Sequence, residues 1–197
     1  MITKDLILHT TGEYDVELVL KLSLPYLEIP RISSLDQCTN LLELNLSHNS
    51  ITEISGLSCL TKLRRLDLSR NYIHSISDDA LNSNRALEFL SLEGNVITDV
   101  DDLKSLTSLS NLRCLYMQNS KKDVTNPVCQ FPGYFNVTSD CLKQLTILDG
   151  ESLELKKEVG KTFTDCDSDH LRPDKKYEEE LDTGELAQKR AESKDSA

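Results

Sequence analysis

Leu44-x-Leu46-x-x-Asn49-x-Ile51-x-x-Ile54 returns 22 residues later as Leu66-x-Leu68-x-x-Asn71-x-Ile73-x-x-Ile76, and a further 24 residues on as Leu90-x-Leu92-x-x-Asn95-x-Ile97-x-x-Val100. Upstream by 22, Leu22-x-Leu24-x-x-Leu27-x-Ile29-x-x-Ile32 keeps every apolar position and puts Leu27 where the Asn should be. Downstream by 25, Leu112-x-x-Leu115-x-Met117 keeps the strand and puts Ser120 at the Asn position. Self-similarity at a fixed period of this length is the mark of a stacked repeat, in which each unit buries its apolar stripe only against its neighbours.

The chemistry of each position follows from the period. A Leu-x-Leu pair on a short strand points both leucines the same way, so Leu46, Leu68 and Leu92 enter the core with the leucines two places before them, and the residues between face out. Asn49, Asn71 and Asn95 turn inward where the chain leaves the strand. Their amides can satisfy backbone groups that the bend would leave buried and unpaired, so they are expected to stack as a ladder.

Outward from the repeats, Leu142-x-x-Leu145-x-Ile147 imitates one last strand, preceded by Asn126-Pro127 and a helix-like stretch at Tyr134-Phe135, and followed by Leu148-Asp149-Gly150. At the other end Leu6, Ile7, Tyr14, Val16, Leu18 and Val19 are expected to form a short lid over Leu22 and Leu24. The organisation read from the sequence is a cap over 1–19, five repeats over 20–125, a second cap over 126–155 and a tail over 156–197. From Asp165 to Ala197 there are 11 acidic and 6 basic residues with few apolar ones, so this stretch cannot build a core and reads as solvated chain.

Composition excludes several function classes. The chain has 34 leucines among 197 residues, and its formal charge is −11. That charge leaves no excess positive surface to displace counterions, so nucleic acid is not expected as a partner. No stretch carries the roughly 18 uncharged apolar residues of a spanning helix, so neither membrane insertion nor a signal peptide is expected. The seven glycines are too scattered to cradle a nucleotide phosphate. No two of the six cysteines lie closer than 12 residues, which fits neither a CxxC metal knuckle nor a dense disulfide framework. The triplets beginning at Asn45 and Asn136 match the glycosylation pattern, and without a secretory route they read as chance matches. His48 and His74 fall at repeat turns and are expected to face solvent. Cys166-Asp167-Ser168-Asp169-His170 offers fewer than the four ligands of a closed zinc site. Cys38 falls opposite Leu60 in the register and reads as a small core residue, while Cys114 and Cys129 read as accessible thiols. No catalytic set, cofactor or metal is expected, and the chain reads as a non-enzyme.

The repeat and its closure at Asn126-Pro127, Tyr134 and Leu148-Asp149-Gly150 resemble the intracellular, phosphatase-regulator-like class of leucine-rich repeat proteins and their terminal cap. A closer likeness to one branch of that class rests on Asp5-Leu6, Thr11-Gly12-Glu13-Tyr14 and Glu17 at the entry. At the exit it rests on Asn126-Pro127-Val128-Cys129, Pro132, Tyr134 and Asp149-Gly150-Glu151, and on Leu171-Arg172-Pro173 in the tail. Phe135 and Lys143 depart from the class pattern, which has a basic residue after the Tyr and a Pro in the last turn. The resemblance implies an α/β leucine-rich repeat solenoid: a right-handed βα superhelix with a parallel concave sheet, 3-10 or short helical segments on the convex side, and caps at both ends. It also implies protein binding in a cytoplasmic, ciliary or nuclear setting, and supplies no catalytic residues.

In such a fold the outward strand positions line the concave face. Lys21, Glu43, Arg65, Phe89 and Cys114 precede the first strand leucines; Ser23, Asn45, Asp67, Ser91 and Tyr116 lie between the leucines; Pro25, Ser47, Ser69, Glu93 and Gln118 follow. Phe89 and Tyr116 fall on adjacent strands as diagonal neighbours, beside Arg65, and exposed aromatics with Arg are the residue types that anchor protein ligands. Arg65, Asp67, Phe89, Ser91, Glu93, Tyr116 and Gln118 are therefore the candidate partner-binding residues. The expected function is a non-catalytic scaffold or adaptor, monomeric by itself, that binds a protein partner on this face. The alternative is a regulatory subunit of an enzyme such as a protein phosphatase. A second charged stretch, Asp78, Asp79, Asp99, Asp101 and Asp102, is expected to cap short helices or turns on the convex side.

Overall fold

The computed structural model describes residues 1–154, which lie in one unit, Met1–Lys156. Each Leu-x-Leu signal becomes a three-residue strand: β1 Lys21–Ser23, β2 Glu43–Asn45, β3 Arg65–Asp67, β4 Phe89–Ser91 and β5 Cys114–Tyr116. These pair in sequence order and in parallel, with Leu22, Leu44, Leu66, Leu90 and Leu115 in one register row. The sheet goes on to β6, Ile147–Leu148, parallel to β5, and ends at β7, Glu151–Ser152, which pairs antiparallel with β6. The chain is thus a parallel-sheet solenoid with few helices. The strand leucines are buried in a continuous core with Leu46, Leu68, Leu92 and the isoleucines that follow them.

The chain leaves each of the first four strands through a left-handed residue, Tyr26, His48, Arg70 and Gly94, with φ of 59°, 55°, 54° and 68°. Such backbone costs about 1–2 kcal/mol for a non-glycine residue, and the inward-turned asparagines offset it. The Asn49 amide donates to the carbonyls of Leu24, Leu46 and Ser47 at 2.8, 2.9 and 3.2 Å, while its oxygen accepts from the Leu27 and Ile29 N–H groups at 3.0 Å each. Asn71 accepts from Ile51, and Asn95 from Ile73, both at 3.0 Å.

The next rung corrects the sequence register. Ser120 is exposed, and the ladder position is taken by Asn126, fully buried, which donates to Leu92 and Met117 and accepts from Ile97. Residues 118–125 form an excursion closed by an antiparallel bridge between Gln118 and Thr125. The chain therefore returns to the stack several residues later than a fixed period allows.

The opposite side of each turn is built on a three-residue spacing, Leu35-Cys38-Leu41, Leu57-Leu60-Leu63 and Leu81-Asn84-Leu87, closed by i to i+3 backbone bonds such as Leu60 N–H to Leu57 at 3.0 Å. Residues three apart eclipse in a 3-10 turn, so all of these side chains point inward and are buried. The spacing lengthens into a 3-10 helix at Asp101–Ser108.

At the N-terminal end α1, Lys4–Thr11, is capped by the Thr3 hydroxyl and contacts β1. Ile2, Ile7, Val16 and Val19 are buried there, whereas Tyr14 and Leu18, expected in the lid, are 86% and 42% exposed. Val16–Leu18 is a single 3-10 turn that sends Val16 inward and Leu18 out. At the other end α2, Tyr134–Cys141, buries Tyr134 and Thr138.

Candidate partner-binding face

The register sets Lys21, Glu43, Arg65, Phe89 and Cys114 side by side across the sheet, and Ser23, Asn45, Asp67, Ser91 and Tyr116 in the parallel row. Phe89 and Tyr116 are diagonal across β4 and β5, with ring centroids 5.5 Å apart at an interplanar angle of 40°. The Arg65 guanidinium lies 4.2 Å from the Phe89 centroid. The sequence places both aromatics in the open; the structure has them half-buried against each other, with a cation on one ring, so the cluster is already organised.

Two of the neighbouring residues sit differently from their sequence placement. Ser91, counted as outward-facing, is only 6% exposed, because it lies in register between Asp67 and Tyr116, which rise on either side of it. Gln118 is held from behind: its amide donates to one carboxylate oxygen of Asp149 at 3.0 Å and its N–H to the other at 3.2 Å. Asp149 also accepts from Met117 N–H at 2.8 Å and from the Tyr134 hydroxyl at 3.1 Å. Burial raises the pKa of Asp149 above the usual carboxylate range, opposed by these donors, and burial also raises that of Tyr134.

Electrostatically the face is acidic around its aromatics. Burial is the main cause of a raised Glu93 pKa, and the nearby charges of Asp67, Asp149 and Asp123 add to it while Arg70 opposes it. Tyr116 is raised by burial first, then by Cys114 and Glu93, with Arg65 opposing. The one ion pair on this face among the described residues joins Lys21 to Glu43 at 2.8 Å. Asp67 accepts the Ser69 N–H at 2.9 Å, a bond that Asn45 repeats with Ser47 one turn earlier.

A groove of about 740 Å³ runs over this face from α1 to the aromatic cluster, lined among others by Thr11, Glu13, Leu18, Leu20, Asp67 and Phe89. Sequence counting found its far end and missed its near end. Leu18, expected in the lid, and Leu20, to which the repeat pattern assigns no place, stand 42% and 50% exposed. Alternation would put Leu20 inward with Leu22, but the strand begins only at Lys21, so the alternation does not reach it.

Elsewhere the residues are structural. Asp99 accepts the Asp101 N–H at 2.8 Å at the head of the 3-10 helix, Asp101 pairs with Lys104 at 2.6 Å, and Asp78 accepts the Ser105 hydroxyl at 2.9 Å. His74 is exposed, but His48, expected in solvent, is half-buried and stacks on Tyr26 with centroids 4.1 Å apart. Cys38 is fully buried, and Cys129, read as accessible, is half-buried with its thiol pushed up to about 11 by desolvation. Among the described residues no three His, Cys, Asp or Glu side chains gather as a metal site, and no helix is long and apolar enough to cross a membrane. Cys166 to His170 and the acidic tail lie outside the described residues.

Residues 39–83 match the family described as leucine-rich repeats in two copies. No curated protein matches the chain closely enough to be counted a relative. Among solved structures, a chain of the Drosophila melanogaster SNF/U2A' complex superposes with a TM-score of 0.64 at 25% identity, over 74% of this chain and 82% of that one. A Leptospira interrogans LRR protein gives 0.57 at 23%, over 75% of this chain and 33% of its own length. Internalin C2 of Listeria monocytogenes gives 0.56 at 24%, over 73% and 61%. The repeated strand, the asparagine ladder, the parallel sheet and these likenesses together show that this chain has the fold of a leucine-rich repeat solenoid, with residues 39–83 carrying the repeat family's own pattern.

Proposed function

We propose that the chain is a non-catalytic interaction scaffold that binds a protein partner across the outward face of its sheet. The observation that carries the reading is the cluster of Arg65, Phe89 and Tyr116 at the end of the 740 Å³ groove. Aromatic and Arg side chains held in place before binding supply contact area with little ordering cost, which is what an anchor needs. Asp67 and Glu93 flank the cluster, while buried Ser91 and half-buried Gln118 serve as its support. Leucine-rich repeat folds commonly mediate protein association, and the Drosophila neighbour comes from an SNF/U2A' complex. As part of the same proposal, the entry and exit segments resemble those of leucine-rich repeat-containing protein 61, and a cytoplasmic setting suits the free cysteines at 38, 59, 114, 129 and 141.

The test is capture of partners from native lysate by wild type and by the double variant Phe89→Ala/Tyr116→Ala, with melting curves to show that the variant is folded. Loss of one or more stoichiometric partners is expected. The same set of proteins bound by both would overturn the proposal.

A further inference from the structure

The outward face has a charge imbalance that its own side chains do not resolve. Lys21 is occupied by Glu43, and Arg65 lies on the Phe89 ring. Asp67 and Glu93 have no ion pair among the described residues, and Glu13 lines the groove at its other end. Burial first, then Asp67, Asp149 and Asp123 disfavour a charge on Glu93, with Arg70 opposing them, and Glu93 and Asp149 both act on Tyr116, with Arg65 opposing. The register sets Asp67, Ser91 and Tyr116 in one row with Glu93 two residues beyond Ser91, and around this half-buried ring Asp67, Glu93 and Asp149 outnumber Arg65 and Arg70, so the ring face and the excess anions attract the same ligand, a cation. The other end of the groove carries exposed aliphatic surface at Leu18 and Leu20.

We infer that the partner presents a basic segment to this face, with a Lys or Arg seated at Tyr116 between Asp67 and Glu93 and an apolar residue against Leu18 and Leu20. This rests on the scaffold reading above and adds the chemistry of the partner. The segment crosses the strands. From β1 to β5, which carries Tyr116, is four strand spacings of about 4.8 Å, or roughly 19 Å, so in an extended segment the apolar and basic residues stand about six apart. Acidic and uncharged segments are disfavoured, because either leaves the carboxylates desolvated and unpaired.

The probes are three fluorescein-labelled peptides of about 16 residues, longer than the roughly 19 Å span requires. All alternate Leu with a polar residue, which is Lys or Arg in the first, Gln in the second and Glu in the third. Anisotropy is read against the full chain and against Asp67→Asn/Glu93→Gln. Both substitutions keep the shape: Asn45 shows that an Asn at the Asp67 position makes the same bond to the backbone. The expected result is binding of the basic peptide that weakens as salt is raised and drops at least about tenfold in the double variant. The acidic tail is untouched in that variant, so undiminished binding would place the peptide elsewhere and overturn the inference. Equal binding of all three peptides, or of none, would overturn it as well. A native partner that needs Phe89 and Tyr116 but is indifferent to Asp67→Asn/Glu93→Gln would leave the scaffold standing and remove only the basic segment.

Discussion

The side-chain oxygen of Asn126 accepts the Ile97 N–H at 3.1 Å, the same bond that Asn95 makes to Ile73 at 3.0 Å, although the spacing between the two asparagines is not the repeat length. Asn126→Ala leaves the buried Ile97 N–H unsatisfied and removes one of the two bonds to each of the Leu92 and Met117 carbonyls, which keep the Asn95 amide and the residue 126 N–H, and is expected to lower stability by about 1–3 kcal/mol. Ser120→Ala, at the position the repeat arithmetic selects, is expected to stay within about 0.5 kcal/mol. Urea unfolding of the two variants checks the assignment, and the reverse ranking would restore Ser120 to the ladder.

Leu68 is fully buried in the middle of the stack, with a repeat on each side. Leu68→Ala is expected to cost about 2–5 kcal/mol, the range for a leucine deleted from a site that cannot collapse. Leu18→Ala, on the rim of the groove, should cost less than about 1 kcal/mol. Thermal melts with equal midpoints for these two would contradict the register.

Asp149 titrates with the sign opposite to that of a stabilising surface carboxylate. Its pKa is raised in the folded state, chiefly by burial, so the folded protein holds this proton more tightly than the unfolded chain. Its contribution to stability is therefore present below the unfolded carboxylate pKa and is lost as pH rises through the higher folded value. The stability of wild type relative to Asp149→Asn is expected to fall as pH rises from about 3 to about 7. Denaturant melts at intervals across that range would show it; a flat difference would mean that the donors from Met117, Gln118 and Tyr134 cancel burial, and a rising one that they outweigh it.

The thiols should sort by burial. Cys59 is exposed, Cys38 is fully buried, and the Cys129 thiol is raised to about 11, which leaves little thiolate at neutral pH. In a Cys166→Ser background, a thiol reagent at about pH 8 is expected to label Cys59 first and Cys38 last, with Cys129 slow. Mass spectrometry of timed samples gives the order, and early labelling of Cys129 would show that the region around α2 opens readily.

Strand positions were legible because alternation on a strand has a period of two and leaves no freedom: once Leu44 and Leu46 are inside, Asn45 is outside, and the same holds through Leu90 to Ser91. The diagonal contact of Phe89 and Tyr116 followed from that register alone. Asn126 was not legible as a rung, because the excursion of residues 118–125 breaks the count and only the Gln118 to Thr125 bridge shows where the chain rejoins. The near wall of the groove escaped for a different reason. Thr11 and Glu13 reach the face because α1 contacts β1, and the direction a short helix takes over a sheet is a matter of packing that no local pattern encodes. Ser91 and Gln118 were placed on the right face, but their burial depends on the height of neighbouring side chains.

The reversed strand β7 has a consequence for growth. A parallel repeat works as a template: each strand offers its outer edge to the next, and nothing within a unit says how many should follow. Ile147 and Leu148 already face Ser152 and Glu151 running the other way, so that edge is closed to another strand of the same polarity. Two residues of opposite direction act as a chain terminator, and they deny the same edge to a second molecule that would otherwise find a ready-made primer there.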